Sequence, residues 1–246
     1  MKLRNPSSRF DLTIKPAERV LEVGGGHNPH PRANVVVDKF VDSNYHRSGD
    51  IKVLTHQQFL SADGEELPFE DKSFDYVICA QVLEHVEDPI RFVKEQVRVS
   101  SRGYMETPSI IGEFLIPKES HRWILQEIDN KIVMYEKEQI GFKPVMDFGY
   151  VFQEFLPKNS LGFKIMQQTH SDLTMMKYEW QDDLEILVNP DSSYFRDFFT
   201  KPWDEEACNR FLHKRTLGKE GLSSFSAFLD ICRSVFKSKV LRSNAD

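Results

Sequence analysis

The stretch that constrains this chain most runs from Arg19 to Asp38: Arg-Val-Leu-Glu-Val-Gly-Gly-Gly-His-Asn-Pro-His-Pro-Arg-Ala-Asn-Val-Val-Val-Asp. Its apolar run Val20 to Val23 is of the kind that forms a short buried strand. Three glycines follow at once, Gly24, Gly25 and Gly26. With no Cβ, the backbone there can turn tightly and come within contact distance of a ligand. A second apolar run, Val35 to Val37, ends in a single acid, Asp38. In a parallel sheet the glycine turn and that acid fall at the carboxyl ends of neighbouring strands, where open α/β sheets bind ligands. An acid at the tip of the second strand suits a ribose diol. The stretch reads as a nucleoside-binding edge of an α/β fold.

A dinucleotide fingerprint is the nearest rival, and it fails twice. Gly-x-Gly-x-x-Gly counted from Gly24 needs glycine where Pro29 stands. Asp38 lies 14 residues past Gly24, against about 20 in that fingerprint. Pro29 and Pro31 also leave little room for a helix whose N-terminus would hold a pyrophosphate. Those departures argue against a nicotinamide-dependent oxidoreductase. The acid ahead of the glycines completes a different pattern, Glu22-x-Gly24-x-Gly26, which resembles motif I of class I S-adenosylmethionine-dependent methyltransferases.

Two further segments carry the same resemblance in the same order. Phe59 to Ala62 reads as a weak strand, followed by Asp63, Gly64 and a Leu-Pro-Phe turn at 67–69. Phe74 to Ala80 reads as a buried strand, and Val82-Leu-Glu-His-Val86 resembles the family's fourth-strand motif, opening a helix that continues to about Val99. Residues 102–108 fit a fifth strand ended by Pro108. The resemblance covers residues 19–107 and is to methyltransferases of type 11. It implies a Rossmann-like seven-stranded sheet, mostly parallel with an antiparallel last strand, flanked by helices. It implies S-adenosyl-L-methionine as cofactor, held by Glu22, Gly24, Gly25, Gly26 and Asp38. Asp63 and Gly64 would face the adenine amine, and Ala80 and Gln81 the methionine end. The short link from Gly26 to Asp38 departs from the family, and implies a vestigial first helix with the His27–Arg32 loop in its place.

Elsewhere the readings are more general. Residues 1–16 look like a polar lead-in with Phe10 and Ile14 tucked against the sheet. The loop at 39–50 falls near the cofactor mouth, where His46 and Arg47 are substrate candidates. Ile110 to Ile116 reads as helical, and His121 to Tyr135 as a β-hairpin turning at Asp129-Asn130. That insert, about 109–147, is expected above the cleft as a lid, with Trp123 against the substrate. His121, Glu106 and His85 are the candidate catalytic groups, because a hydroxyl acceptor benefits from a base. Phe148 to Phe155 suggests a helix. Leu173 to Trp180 and Asp183 to Val188 are expected as the sixth and seventh strands. The methyltransferase domain would then occupy 1–190. The extension at 191–246 ends in an amphipathic helix from Phe225 to Leu241, placed to dock on the fold or to form a homodimer, with an anionic membrane surface as the third choice.

Composition narrows the function classes. The net charge of −6 gives no basic footprint, so no nucleic acid is expected. Cys79, Cys208 and Cys232 form no Cys-x-x-Cys, and no metal set is signalled by spacing. No apolar run approaches the ~18 residues of a membrane span, and the N-terminus lacks the apolar core of a signal peptide. The expectation is a cytoplasmic enzyme that methylates a small-molecule or saccharide-type acceptor. The alternative is a non-catalytic scaffold or regulator that binds the cofactor or its demethylated product.

Overall fold

A computed structural model of the chain describes residues 1–45, 49–144, 146–212 and 214–243, without the side chains of 237–243. His46 and Arg47 lie outside the described residues. The strands are β1 (Lys2–Arg4), β2 (Val20–Val23), β3 (Val35–Asp38), β4 (Gln58–Ser61), β5 (Tyr76–Ala80), β6 (Arg102–Pro108), β7 (Trp123–Ile128), β8 (Lys131–Glu136), β9 (Met175–Gln181) and β10 (Ile186–Val188). Seven of them form one sheet in the order β1-β9-β6-β5-β2-β3-β4. From β6 to β4 every pairing is parallel, and β9 runs antiparallel to β6. The sheet is the expected one, a Rossmann-like α/β arrangement.

Its seventh strand comes from an unexpected place. Residues 183–188 do not join this sheet. Instead β10 pairs parallel with β8, extending the β7–β8 hairpin to a second, three-stranded sheet. The vacant edge is taken by the N-terminal β1, antiparallel to β9. Residues 1–16 are therefore structural and not a lead-in. Glu179 on β9, fully buried, explains the attachment: it accepts from Arg4 Nε (2.8 Å), Thr13 N (2.8 Å), Thr13 Oγ1 (2.6 Å) and the Tyr76 hydroxyl (2.7 Å). A buried carboxylate is tolerated only when paired this way. Leu12 and Ile14 then pack on Val20, Tyr76, Ile78 and Tyr104, covering one face of the sheet. Phe10 stays 64% exposed, stacked on His30.

Helices flank the sheet less than expected. Among the described residues, the β2–β3, β3–β4 and β4–β5 connections contain none. Pro29 and Pro31 account for the first of these, since each removes a backbone donor and restricts its predecessor. The β5–β6 crossover carries α1 (Pro89–Val99), with Pro89 at its first turn and the Asp88 side chain capping Arg91 N at 2.9 Å. Residues 81–88 form a turn ahead of that helix. The helix buries Phe92, Val93, Gln96 and Val99.

After β6 comes α2 (Ile110–Leu115), capped by Ser109. The hairpin turns at Asp129-Asn130, with φ of 54° and 62°, the left-handed pair that a two-residue type I′ turn requires. It is not a cover over the cleft. Trp123, Leu125, Ile132 and Met134 belong to the same core as Val23, Val77 and Met105 of the main sheet. The opposite side of the hairpin, with Ile124, Val133 and Tyr135, packs against Phe199. The chain continues through a π-helix at Tyr150–Phe155, then α3 (Leu156–Asn159) and α4 (Leu161–Thr169). Beyond β10 lie α5 (Ser193–Thr200), α6 (Glu205–Phe211) and α7 (Leu217–Ser243). The apolar residues of α7 are only partly covered: Phe228 is 37% exposed and Phe236 71%. No described helix is long and apolar enough to cross a membrane.

Candidate active site

The carboxyl ends of β2, β3 and β5 open into a cavity of about 470 Å³. Parallel pairing aligns Val23 with Val37 and with Cys79, so the residues after each strand meet at one edge. Gly24 turns the chain there with φ of +74°, its N–H donating to Val37 O at 2.7 Å. A Cβ at Gly24 would stand 2.1 Å from Val82 Cγ2, so only glycine lets the turn lie against the 81–88 segment. A Cβ at Gly64 would meet the Phe92 ring at 2.4 Å, which holds the 63–64 turn close to α1.

Each cofactor-site candidate named from sequence lines this cavity: Glu22, Gly24, Gly25, Gly26, Asp38, Asp63, Gly64, Ala80 and Gln81. Their engagements differ. Asp38 accepts from Phe40 N at 3.0 Å. Asp63 is shared with Lys39 (2.7 Å) and with the Glu65 N–H (2.9 Å). Burial pushes its carboxyl up, but those two donors outweigh it and hold the group below the ordinary range. Gln81 adopts φ of +60°, an uncommon conformation for a non-glycine residue that turns the chain out of β5.

Glu22 serves the glycine turn itself. It is 1% exposed, and its oxygens accept from His30 N (2.6 Å) and Arg9 Nη2 (3.1 Å). Burial outweighs both donors and raises its pKa to about 7. The sign follows directly. In the unfolded chain the group ionises near 4.5, while in the folded chain it stays protonated until about pH 7. Stability therefore falls as pH rises across that window, by roughly 3 kcal/mol in total. Glu22→Gln is expected to remove that part of the decline, read from denaturant unfolding at pH 5 and pH 8; an unchanged difference between the two would contradict it. Arg9, from the N-terminal segment, also lines the cavity. Nothing in its local sequence marks it, because its partner is reached only through the fold.

The far end of the cavity gathers Glu84, His85, Glu106 and His121. Glu106 on β6 accepts from the Tyr104 hydroxyl. Glu84 is fully buried, and neither carboxylate oxygen has a hydrogen-bond partner among the described residues. Burial raises its pKa to about 8. His85 lies on the turn after β5, with Nδ1 at 2.7 Å from Ser120 O. A carbonyl only accepts, so Nδ1 carries a hydrogen, and whenever the ring is neutral Nε2 is its lone-pair nitrogen. His121, 3% exposed, has Nδ1 at 2.6 Å from Glu113 Oε2. Glu113 is also held by Lys137. Burial would raise its pKa, but His121 and Lys137 reverse that and keep it a carboxylate acceptor. His121 too then carries its hydrogen on Nδ1. The two rings meet edge to face with centroids 4.7 Å apart. Spacing in sequence signalled no metal set; the fold brings one donor atom each from Glu84, His85 and His121 within 4.8 Å of one another.

Trp123 has a different place from the one expected. It does not border the cavity; it is 4% exposed in the core, its indole N–H donating to Val86 O at 2.7 Å. Glu84 O accepts from the backbone N–H groups of Arg122 (2.9 Å) and Trp123 (3.1 Å). These contacts latch the start of the hairpin to the 81–88 turn and set His121 beside His85. Lys118 and Ser120, on the loop before the hairpin, join it at the rim.

The chain is similar to known methyltransferases. A methyltransferase-domain family matches residues 36–105. Over 129 residues the chain is 26% identical to the malonyl-[acyl-carrier protein] O-methyltransferase of Marinomonas sp., covering 49% of this chain and 47% of that one. It is 29% identical over 93 residues to a ubiquinone/menaquinone biosynthesis C-methyltransferase of Rickettsia prowazekii, covering 38% and 37%. An uncharacterised protein of Methanocaldococcus jannaschii is 28% identical over 102 residues, covering 38% and 50%. The chain thus spans half or less of the length of these curated relatives. Among solved structures, a S-adenosylmethionine-dependent methyltransferase from Mesorhizobium loti matches with a TM-score of 0.40 at 15% identity, over 70% of this chain and 94% of that one. With the strand order and the family match together, the chain carries a methyltransferase domain of the class I S-adenosylmethionine-dependent type.

Proposed function

We propose that this chain transfers a methyl group from S-adenosylmethionine to a small-molecule acceptor, of saccharide or similar oxygen-bearing type. The observation that carries the reading is a single cavity with a nucleoside-type rim at one end and two oriented histidines at the other. The residues fit the cofactor: the Gly24–Gly26 turn brings main chain to the cavity wall, and besides the buried Glu22 and Glu84 five acidic side chains face three cationic ones along it. That balance favours a sulfonium and an amine over a pyrophosphate. When bound, the cofactor supplies an electrophilic methyl: the acceptor lone pair forms the new bond while the S–C bond breaks and its electron pair stays on sulfur. The protein's part is alignment and exclusion of water. Asp38 holds the ribose, Asp63 with Lys39 borders the adenine, and the Gly24–Gly26 turn offers backbone to the methionine end. His85 and His121 direct lone-pair nitrogens to the acceptor, engaging its acidic hydrogen directly or through a cation.

The two characterised relatives differ from each other, one named for malonyl-[acyl-carrier protein] and the other for ubiquinone/menaquinone biosynthesis, so neither substrate is carried over to this chain. Calorimetric titration with S-adenosylhomocysteine beside NADH tests the cofactor: micromolar binding of the first alone is expected, and binding of NADH alone would overturn the reading. Labelled-methyl transfer over an acceptor panel then separates an enzyme from a scaffold, since a scaffold binds without any product. Asp38→Ala is expected to lower S-adenosylhomocysteine affinity about ten- to a hundredfold through loss of a charge-assisted hydrogen bond. Unchanged affinity would remove Asp38 from the ribose site.

A further inference from the structure

We propose that Glu84, His85 and His121 bind a divalent transition-metal cation at the acceptor end of the cavity, and that an acceptor oxygen completes its coordination. Two neutral imidazoles and one carboxylate are a donor set suited to Zn²⁺, Mn²⁺ or Co²⁺, and three protein ligands leave positions open for a substrate. Three features of the chain support the assignment beyond proximity.

The first is the outer contacts of the histidines. Metal-bound histidines give their remote N–H to a carbonyl or carboxylate, which fixes the tautomer and turns the other nitrogen to the ion. His85 does so to Ser120 O at 2.7 Å, and His121 to Glu113 at 2.6 Å. The second is Glu84 itself, fully buried with both oxygens lacking a hydrogen-bond partner among the described residues. A buried carboxyl group with no partner for its oxygens is costly in either protonation state, and a cation is one of the few partners that repays it. The nearest oppositely charged influence, Lys118, is an exposed side chain on the rim. The third is reach. Glu84 Oε1 is 4.0 Å from His85 Nε2, and the three donor atoms span at most 4.8 Å. Donors around a tetrahedral ion at about 2.0–2.1 Å are roughly 3.4 Å apart.

The role follows from the methyltransferase reading, on which it rests; the ion site does not. An acceptor hydroxyl on the cation loses its proton to solvent, as metal-bound water does near neutrality. The resulting oxygen lone pair attacks the methyl carbon, the O–C bond forms, and the S–C electron pair remains on sulfur. The site thus selects acceptors with an oxygen that can both coordinate and attack.

Chelator-treated protein titrated with Co²⁺ tests the site. One equivalent with visible ligand-field absorption is expected, displaced by Zn²⁺ and retained when S-adenosylhomocysteine is bound. Glu113→Gln is expected to weaken Co²⁺ about 10–100-fold by loosening His121. Glu84→Gln and His85→Gln are expected to abolish the bands, and circular dichroism reports whether each variant folds; Glu113→Gln and His85→Gln decide the matter if Glu84→Gln does not. Absence of the bands in the wild type, or their persistence in His85→Gln, would overturn the ion site. S-adenosylhomocysteine binding without Co²⁺ binding would overturn only this proposal. Co²⁺ binding without S-adenosylhomocysteine binding would instead overturn the methyltransferase reading.

Discussion

Replacing His121 with alanine is expected to slow methyl transfer by about 10²–10⁴-fold, because the loss of the ring removes a ligand of the proposed cation and with it the ionisation of the acceptor hydroxyl, an effect of the size acid–base catalysis supplies. The residue is 3% exposed, lines the cavity, and is anchored through Nδ1 to Glu113, which fixes the orientation of its ring. Loss of the ring removes that nitrogen and leaves the Glu113 carboxylate with Lys137 as its remaining ion-pair partner among the described residues. Because His121 is not among the residues proposed to hold the cofactor, S-adenosylhomocysteine affinity should change by no more than about threefold, a shift below 1 kcal/mol. The measurement is kcat in single-turnover transfer, with calorimetry on the same preparation. Equal loss in cofactor affinity would place His121 in cofactor binding, and full activity would remove it from the reaction.

Trp123→Ala is expected to destabilise the protein by about 3–5 kcal/mol, the usual cost of deleting a buried tryptophan. For a chain of this size that lowers the melting temperature by roughly 6–20 °C. The side chain fills the core between the hairpin and the main sheet, and its N–H satisfies Val86 O at 2.7 Å. Trp123→Phe should recover most of the packing but leave that buried carbonyl unsatisfied, at about 1–3 kcal/mol. A loss under about 1 kcal/mol in the alanine variant, read from denaturant unfolding, would return Trp123 to the cleft, against the substrate, where sequence placed it. Since the indole N–H ties the start of the hairpin to Val86 O, on the turn that carries His85, both variants should also lower the activity that depends on His121.

The two expectations share a lesson about distance along the chain. The cofactor rim was legible because each piece is local: an apolar run, a glycine turn and an acid lie within 20 residues and form a strand, a bend and a second strand. Parallel pairing then follows from those runs, and it carries Asp38 and Gly24 to the same edge. Asp63 and Gln81 were found in the same way, each immediately after a strand. The hairpin was legible too, since Asp129-Asn130 suits a type I′ turn, but the partner of its apolar side was not. Alternation says that one face is buried and does not say against what. The hairpin went into the core, and Trp123 with it.

Sequence by itself determined most of the strands, the glycine turn, the acid that ends the second core strand and the short proline-bounded link that leaves no room for a first helix. These depend on backbone freedom and side-chain periodicity within a few residues. Tertiary structure decided the rest. The edge strand from Lys2–Arg4 is three residues with no periodic pattern, and it exists because Glu179 is buried beside it and needs Arg4. The meeting of Glu84, His85 and His121 depends on two backbone hydrogen bonds to Glu84 O across more than thirty residues of chain. No residue spacing encodes that contact, because the donors are main-chain groups that every residue carries, and only packing chooses which of them pair.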